Sequence, residues 1–233
     1  MLTLLARKPK CAVHRQRGLS LVEMMVGVTV GLFVVGGALS LFTRNVIGSR
    51  HVLLETRLNQ DLRAAADLVT RELRRAGFWG NAIQGTIAVG TGSITTANPY
   101  SALTNVSTSQ VEYQFSRDSA ENNTLDPGDQ FGFRLNSGAL QMQTTSGSWT
   151  DVTDTRTLTI NSFALTPTVT TLPLGNLCYK TCAVGAPNCP TVTVRSYALA
   201  INAQAVADST LQRSFKSVVR MRNELLSGYC PIS

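Results

Sequence analysis

From Leu19 to Thr43 almost every position is apolar, and Glu23 is the single charged residue in the run. At 1.5 Å per residue this stretch spans ~37 Å, enough for a tilted crossing of a ~30 Å hydrocarbon core. Further on, Leu54, Leu58, Leu62, Ala65, Val69, Leu73 and Ala76 recur every three or four residues, while Arg57, Asp61, Arg63, Asp67, Arg71 and Arg74 fall mostly on other faces. No proline lies between Lys10 and Ala97, so the two patterns fuse into one predicted helix from Leu19 to Ala76, ~87 Å long. Arg74 and Arg75 suit its C-terminal dipole and Gly77 its C-cap, while Gly27, Gly31, Gly36 and Gly37 are its weak points.

After Gly80 the period changes to two. Phe131 to Leu135, the turn Asn136-Ser137-Gly138, and Ala139 to Gln143 read as a β-hairpin. Gln110 to Phe115, Leu158 to Leu165, Thr191 to Ala203 and Arg213 to Arg222 are further strand candidates, and Thr86 to Ser109 and Thr166 to Pro190 read as loops. No internal repeat is visible. The expected fold is α+β: a long N-terminal helix, membrane-spanning in its first half, packed through its second half on an antiparallel β-sheet head. The expected divisions are a leader (1–18), a transmembrane half of the helix (19–43), an exported half with its junction (44–80) and a β-rich head (81–233).

Charge sharpens this picture. The net charge is +7, but Arg7, Lys8, Lys10, Arg15 and Arg17 all precede Leu19 with no acid among them. Removing these five leaves +2, so the basicity is a targeting feature that places the leader in the cytoplasm and the head on the exported side. It offers nucleic acid no basic track. Cysteine agrees: Cys11 lies in the leader, and Cys178, Cys182, Cys189 and Cys230 lie near the C-terminus. Four cysteines in an exported head read as two disulfides with three connectivities open, and their spacing does not fit a zinc ribbon.

Glu23 is the anomaly. A carboxylate in a membrane span costs ~2.5–3.5 kcal/mol on insertion scales and is a functional candidate by default. The segment Arg17-Gly18-Leu19-Ser20-Leu21-Val22-Glu23, behind a basic leader and before an uninterrupted span, resembles the processing site of type IV prepilins. The resemblance implies cleavage by prepilin peptidase between Gly18 and Leu19, N-methylation of the new Leu19 amine, and a register contact between Glu23 and the Leu19 ammonium of a neighbouring subunit. Leu19 stands where Phe is commoner in that family, and the proline usual in the membrane half of major pilins is missing.

Two further segments, Arg74-Arg75-Ala76-Gly77-Phe78-Trp79-Gly80 and Arg213 through Asn223, are similar to the PilW-type minor pilins. Phe78 and Trp79 are expected to plug the junction between helix and sheet.

Other chemistry is sparse. Asp118 to Asp129 has acids or amides at the first, fifth, ninth and twelfth positions of an EF-hand-like loop, but Ala120 stands at the third and Asn123 replaces the glycine. A polar turn is the better reading, and calcium there is the one cofactor left open. The only histidines are His14, in the leader, and His51, on the stalk, and no phosphate-cradling glycine loop exists, which argues against an enzyme.

The resemblance implies a type IV pilus minor pilin that primes assembly and sits at or near the fibre tip. Its partners would be other minor and major pilins, prepilin peptidase, the inner-membrane assembly platform and a tip adhesin. It would start in the inner membrane, with a periplasmic head, and end at the cell surface. A type II secretion pseudopilin is the first alternative, and an adhesive or DNA-binding pilus component the second.

Overall fold

A computed structural model describes residues 18, 20–85, 97–104, 106–118, 120–186 and 188–231. The expectations for the leader, including Cys11 and His14, and for Leu19 lie outside the described residues. The chain divides into two compact units, Met1–His51 and Val52–Ser233, and the boundary falls inside one helix, α1, Leu21–Arg75.

In the first unit no other described residue packs against the apolar face of α1. Its apolar side chains from Leu21 to Phe42 are all exposed, Phe33 to 83%. The helix continues through Gly27, Gly31, Gly36 and Gly37 without a break, so these glycines do not interrupt it.

The second unit is built on the rest of α1. Leu58, Leu62, Ala65, Ala66, Val69 and Leu73 form its buried stripe, and full burial of each larger side chain stabilises by about 1.5–3 kcal/mol. They pack into one core with residues from two sheets. The first sheet runs in the order β1 (Leu103–Thr104), β2 (Gln110–Gln114), β3 (Gln130–Asn136), β4 (Ala139–Thr145) and β5 (Ser148–Asp151). In the second, β6 (Leu158–Pro173) and β8 (Gln212–Arg220) flank β7 (Thr191–Ala205), and β9 (Leu225–Ser227) also pairs with β7. All pairings are antiparallel.

The expected hairpin is β3–β4, closing with Asn136 opposite Ala139. Ser137 and Gly138 both adopt positive φ, 49° and 81°, which a two-residue hairpin turn with right-handed strand twist requires. The predicted single sheet is instead two, and β1, β5 and β9 are strands the periodicity did not mark.

The largest correction concerns Thr166 to Pro190, expected as loop. β6 continues to Pro173, pairing with β7 as far as Thr191. The Arg195 carbonyl accepts the Met221 N–H on the β8 side, so Arg195 turns its backbone groups away from β6. Val169 opposite it therefore turns its own toward the open edge. Pro167 and Pro173, two and four residues from Val169, share that orientation. The N–H groups they lack would have faced off the sheet, where proline is tolerated and blunts the edge against stray pairing.

Candidate processing and assembly site

Ser20 opens α1, its carbonyl accepting the Met24 N–H at 3.1 Å. Glu23 is in the first turn and exposed, where the positive end of the helix dipole favours a carboxylate. Gly18 is exposed just before it. Thr29 and Thr43 return their hydroxyls to the carbonyls of Val26 and Leu39 at 2.9 and 2.8 Å, so both polar groups are satisfied within the helix, as a membrane demands. Among the described residues this is the one helix long and apolar enough to cross a membrane. What the site presents is an apolar cylinder with a carboxylate near its start.

At its other end α1 is held by the head. Gly77 takes φ +77° and its N–H donates to the Gln114 carbonyl at 2.7 Å. A Cβ at Gly77 would come 3.3 Å from the Arg195 guanidinium, so both conformation and space call for glycine. The Asn223 amide donates to the carbonyls of Arg75 and Ala76 at 3.2 and 3.0 Å, and the Arg222 N–H to that of Arg74 at 3.3 Å. These are the orphan carbonyls any helix end must satisfy.

The junction aromatics divide. Trp79 is 4% exposed and its Nε1–H donates to Asn123 Oδ1 at 2.9 Å. Phe78 is 48% exposed and plugs nothing. Glu121 organises the surroundings: its carboxylate accepts from the N–H of Gly80 and Asn123 at 3.0 and 2.9 Å and from the Tyr100 hydroxyl at 2.8 Å. Burial raises the Glu121 pKa, but the bonds from Ser116, Tyr100, Asn123 and Gly80 outweigh it and hold the carboxyl below its ordinary value. Burial, then the Glu121 bond, push the Tyr100 phenol above its usual range.

The four head cysteines pair as Cys178–Cys230 and Cys182–Cys189. Asp118, Asp126 and Asp129 bring carboxylate oxygens within 4.8 Å of one another. Asp129 is 1% exposed, and its oxygens already accept the N–H groups of Arg117 and Asp126 at 3.1 Å each. The Asn122 amide donates to Asp126. These bonds fold the turn that leads into β3. His51 is exposed on α1. The helix-end contacts of Asn223 and the hub at Glu121 were invisible in sequence, since their partners lie 148 and 41 residues away.

Residues 51–221 match the family model described as prepilin peptidase-dependent protein B, and residues 13–39 match the prokaryotic N-terminal methylation motif. The chain belongs to the prepilin peptidase-dependent protein B family. No curated protein and no solved structure matches it. A prepilin peptidase-dependent protein of this kind is a type IV pilin-like structural subunit, a component of a pilus or pseudopilus that is processed by the peptidase and assembles with other pilins. The exposed apolar half of α1 suits both states of such a subunit, since lipid before assembly and neighbouring helices after it can cover the same surface.

Proposed function

We propose that this protein is a PilW-type minor pilin of a type IV pilus, acting in the set that primes assembly and stays at or near the fibre tip. Prepilin peptidase cuts between Gly18 and Leu19 on the cytoplasmic side, and Leu19 is then N-methylated. The protein waits in the inner membrane with its head in the periplasm, and the assembly platform passes it into the fibre. The observation that carries this reading is Glu23, an exposed carboxylate in the first turn of α1 and the single charge on that helix from Leu21 to Thr43. Paired with the Leu19 ammonium of a neighbour, it gives a helix bundle its axial register. No chemistry of its own and no bound cofactor enter this role.

The test measures processing and incorporation in one strain. Intact mass of membrane-extracted protein is expected to show a chain starting at Leu19 plus one methyl group. Glu23→Ala removes an insertion cost of ~2.5–3.5 kcal/mol, so processed protein should accumulate at wild-type level or above. It also strands a buried ammonium, at ~3–5 kcal/mol, so recovery in sheared fibres should fall. A chain starting at Met1, or at any residue beyond Leu19, overturns the processing site, full incorporation of Glu23→Ala overturns the pairing, and recovery only with a secretion pseudopilus overturns the pilus assignment.

A further inference from the structure

Two surface cavities, of about 430 and 490 Å³, adjoin at the C-terminal end of α1, and Arg74 and Arg222 line both. Arg71 and Arg75 complete the first and Arg220 the second. Most of these guanidinium groups are occupied. Arg71 and Arg75 flank the buried Glu72 at 3.4 and 3.1 Å, Arg75 also lies 4.2 Å over the Phe115 ring, and Arg220 pairs with Glu224.

Arg74 and Arg222 are different. Both are exposed, and neither side chain has an ion pair or hydrogen bond among the described residues. The ordinary role for cations here is to bond the last carbonyls of the helix. Those carbonyls are already taken by the Asn223 amide and the Arg222 backbone N–H. The first cavity also holds Thr70, whose hydroxyl is enclosed and without a partner. Two open guanidinium forks and a spare hydroxyl make a donor set with nothing among the described residues to receive it.

The number of charges decides the class of partner. Five arginines stand against Asp67 and Glu224 in the lining and the buried Glu72 paired behind it, an excess of only two. That matches a pair of carboxylates. It does not match duplex DNA, which presents a charge every ~1.7 Å and is held by many contacts. Carboxylate is also the partner that the planar arginine fork meets in bidentate fashion.

We propose that this arginine groove receives an acidic segment of an adjoining pilin subunit, with Arg74 and Arg222 as its contacts. The inference rests on the assembly reading above. Its experiment uses the full chain in its pilus-forming host, comparing wild type with Arg74→Gln/Arg222→Gln and Arg74→Glu/Arg222→Glu. Both side chains are exposed, and the capping N–H of Arg222 belongs to the backbone, so the Gln pair should melt close to wild type in detergent, the Glu pair a few degrees lower because a carboxylate at position 74 opposes the helix dipole, and both should reach the membrane fully processed. Incorporation into sheared fibres is expected to fall in proportion to the charge removed, by about tenfold for the reversal, as for two surface pairs turned into repulsions. Wild type missing from fibres refutes the assembly reading itself. Wild type present, with both variants incorporated equally well, refutes the groove. Normal incorporation with lost retention of duplex DNA replaces the acidic partner by nucleic acid.

Discussion

Asn223→Ala strips the head of the amide that closes α1: the Ala76 carbonyl loses the donor that reaches it at 3.0 Å, while the Arg75 carbonyl loses the amide at 3.2 Å and keeps the Phe78 N–H at 3.0 Å. Each such bond contributes about 0.5–1.5 kcal/mol net. The two cases differ: Ala76 is fully buried and its carbonyl is left unpaired, whereas the Arg75 carbonyl still accepts the Phe78 N–H. The sum is therefore about 2 kcal/mol, most of it from Ala76. For a domain of this size ~1 kcal/mol moves the midpoint by about 2–4 °C, so Asn223→Ala should melt about 4–8 °C lower. Asn223→Asp should fall further, because it sets a carboxylate against carbonyls at the negative end of the helix, a further ~0.3–1 kcal/mol. The assay is thermal unfolding of the detergent-extracted full chain by near-ultraviolet circular dichroism, to which Trp79 beside the junction contributes. Lys216→Ala, an exposed position on β8, is the control and should stay within ~0.5 kcal/mol of wild type. If Asn223→Ala melts with this control, or Asn223→Asp melts with wild type, the helix end is held by something other than this amide.

The lowered pKa of Glu121 means its stabilisation is complete above the ordinary glutamate value, ~4.3, and is lost as pH falls through the lower folded value. The stability gap between wild type and Glu121→Gln should thus close in acid, and parallel pH profiles would exclude the hub. The Cys178–Cys230 bridge closes a separation of 52 residues and Cys182–Cys189 one of 7, so chain entropy predicts losses of about 4 and about 2 kcal/mol for removing each as a Ser pair; equal losses in melting experiments would refute this ranking. Because Asp129 is already bonded by two N–H groups, millimolar calcium should leave the melting temperature unchanged, and a chelator-reversible rise of several degrees would make Asp118, Asp126 and Asp129 a metal site.

What could be read from sequence was whatever depends on near neighbours. The stalk follows from apolar periodicity and an absence of proline, and the β3–β4 hairpin from Asn-Ser-Gly between alternating runs. The far half of β6 was hidden because Pro167 and Pro173 are ordinary loop punctuation, and only the pairing of β7 with β8 reveals that their missing N–H groups face an open edge. The division into two sheets was hidden for a related reason. Alternation fixes which side chains face inward, but carries no information about which strand lies alongside which. The turn around Glu121 and Asn123 hid its role in another way: its acids and amides read as a polar turn, but nothing local says that these two bond Gly80 and Trp79 across the helix junction.

The two segments that carried the narrower family resemblance prove to be halves of one contact. Arg74 to Gly80 closes α1, and Arg213 to Asn223 is β8 with its exit. At the start of that strand Arg213 pairs with Glu55 on α1, and at its end Asn223 bonds Arg75 and Ala76. The lengths agree. Twenty residues of helix from Glu55 to Arg75 rise ~30 Å, and the chain from Arg213 to Asn223, strand as far as Arg220 and a bend beyond it, reaches at most ~33 Å. β8 and the bend that follows it thus run the length of the buried half of the helix and are fixed to it at Arg213 and at Asn223. A subunit that is pulled and packed through its helix needs its head locked to that helix in one register. Two polar clasps about 30 Å apart supply this, where an apolar stripe alone would tolerate a slip of one turn.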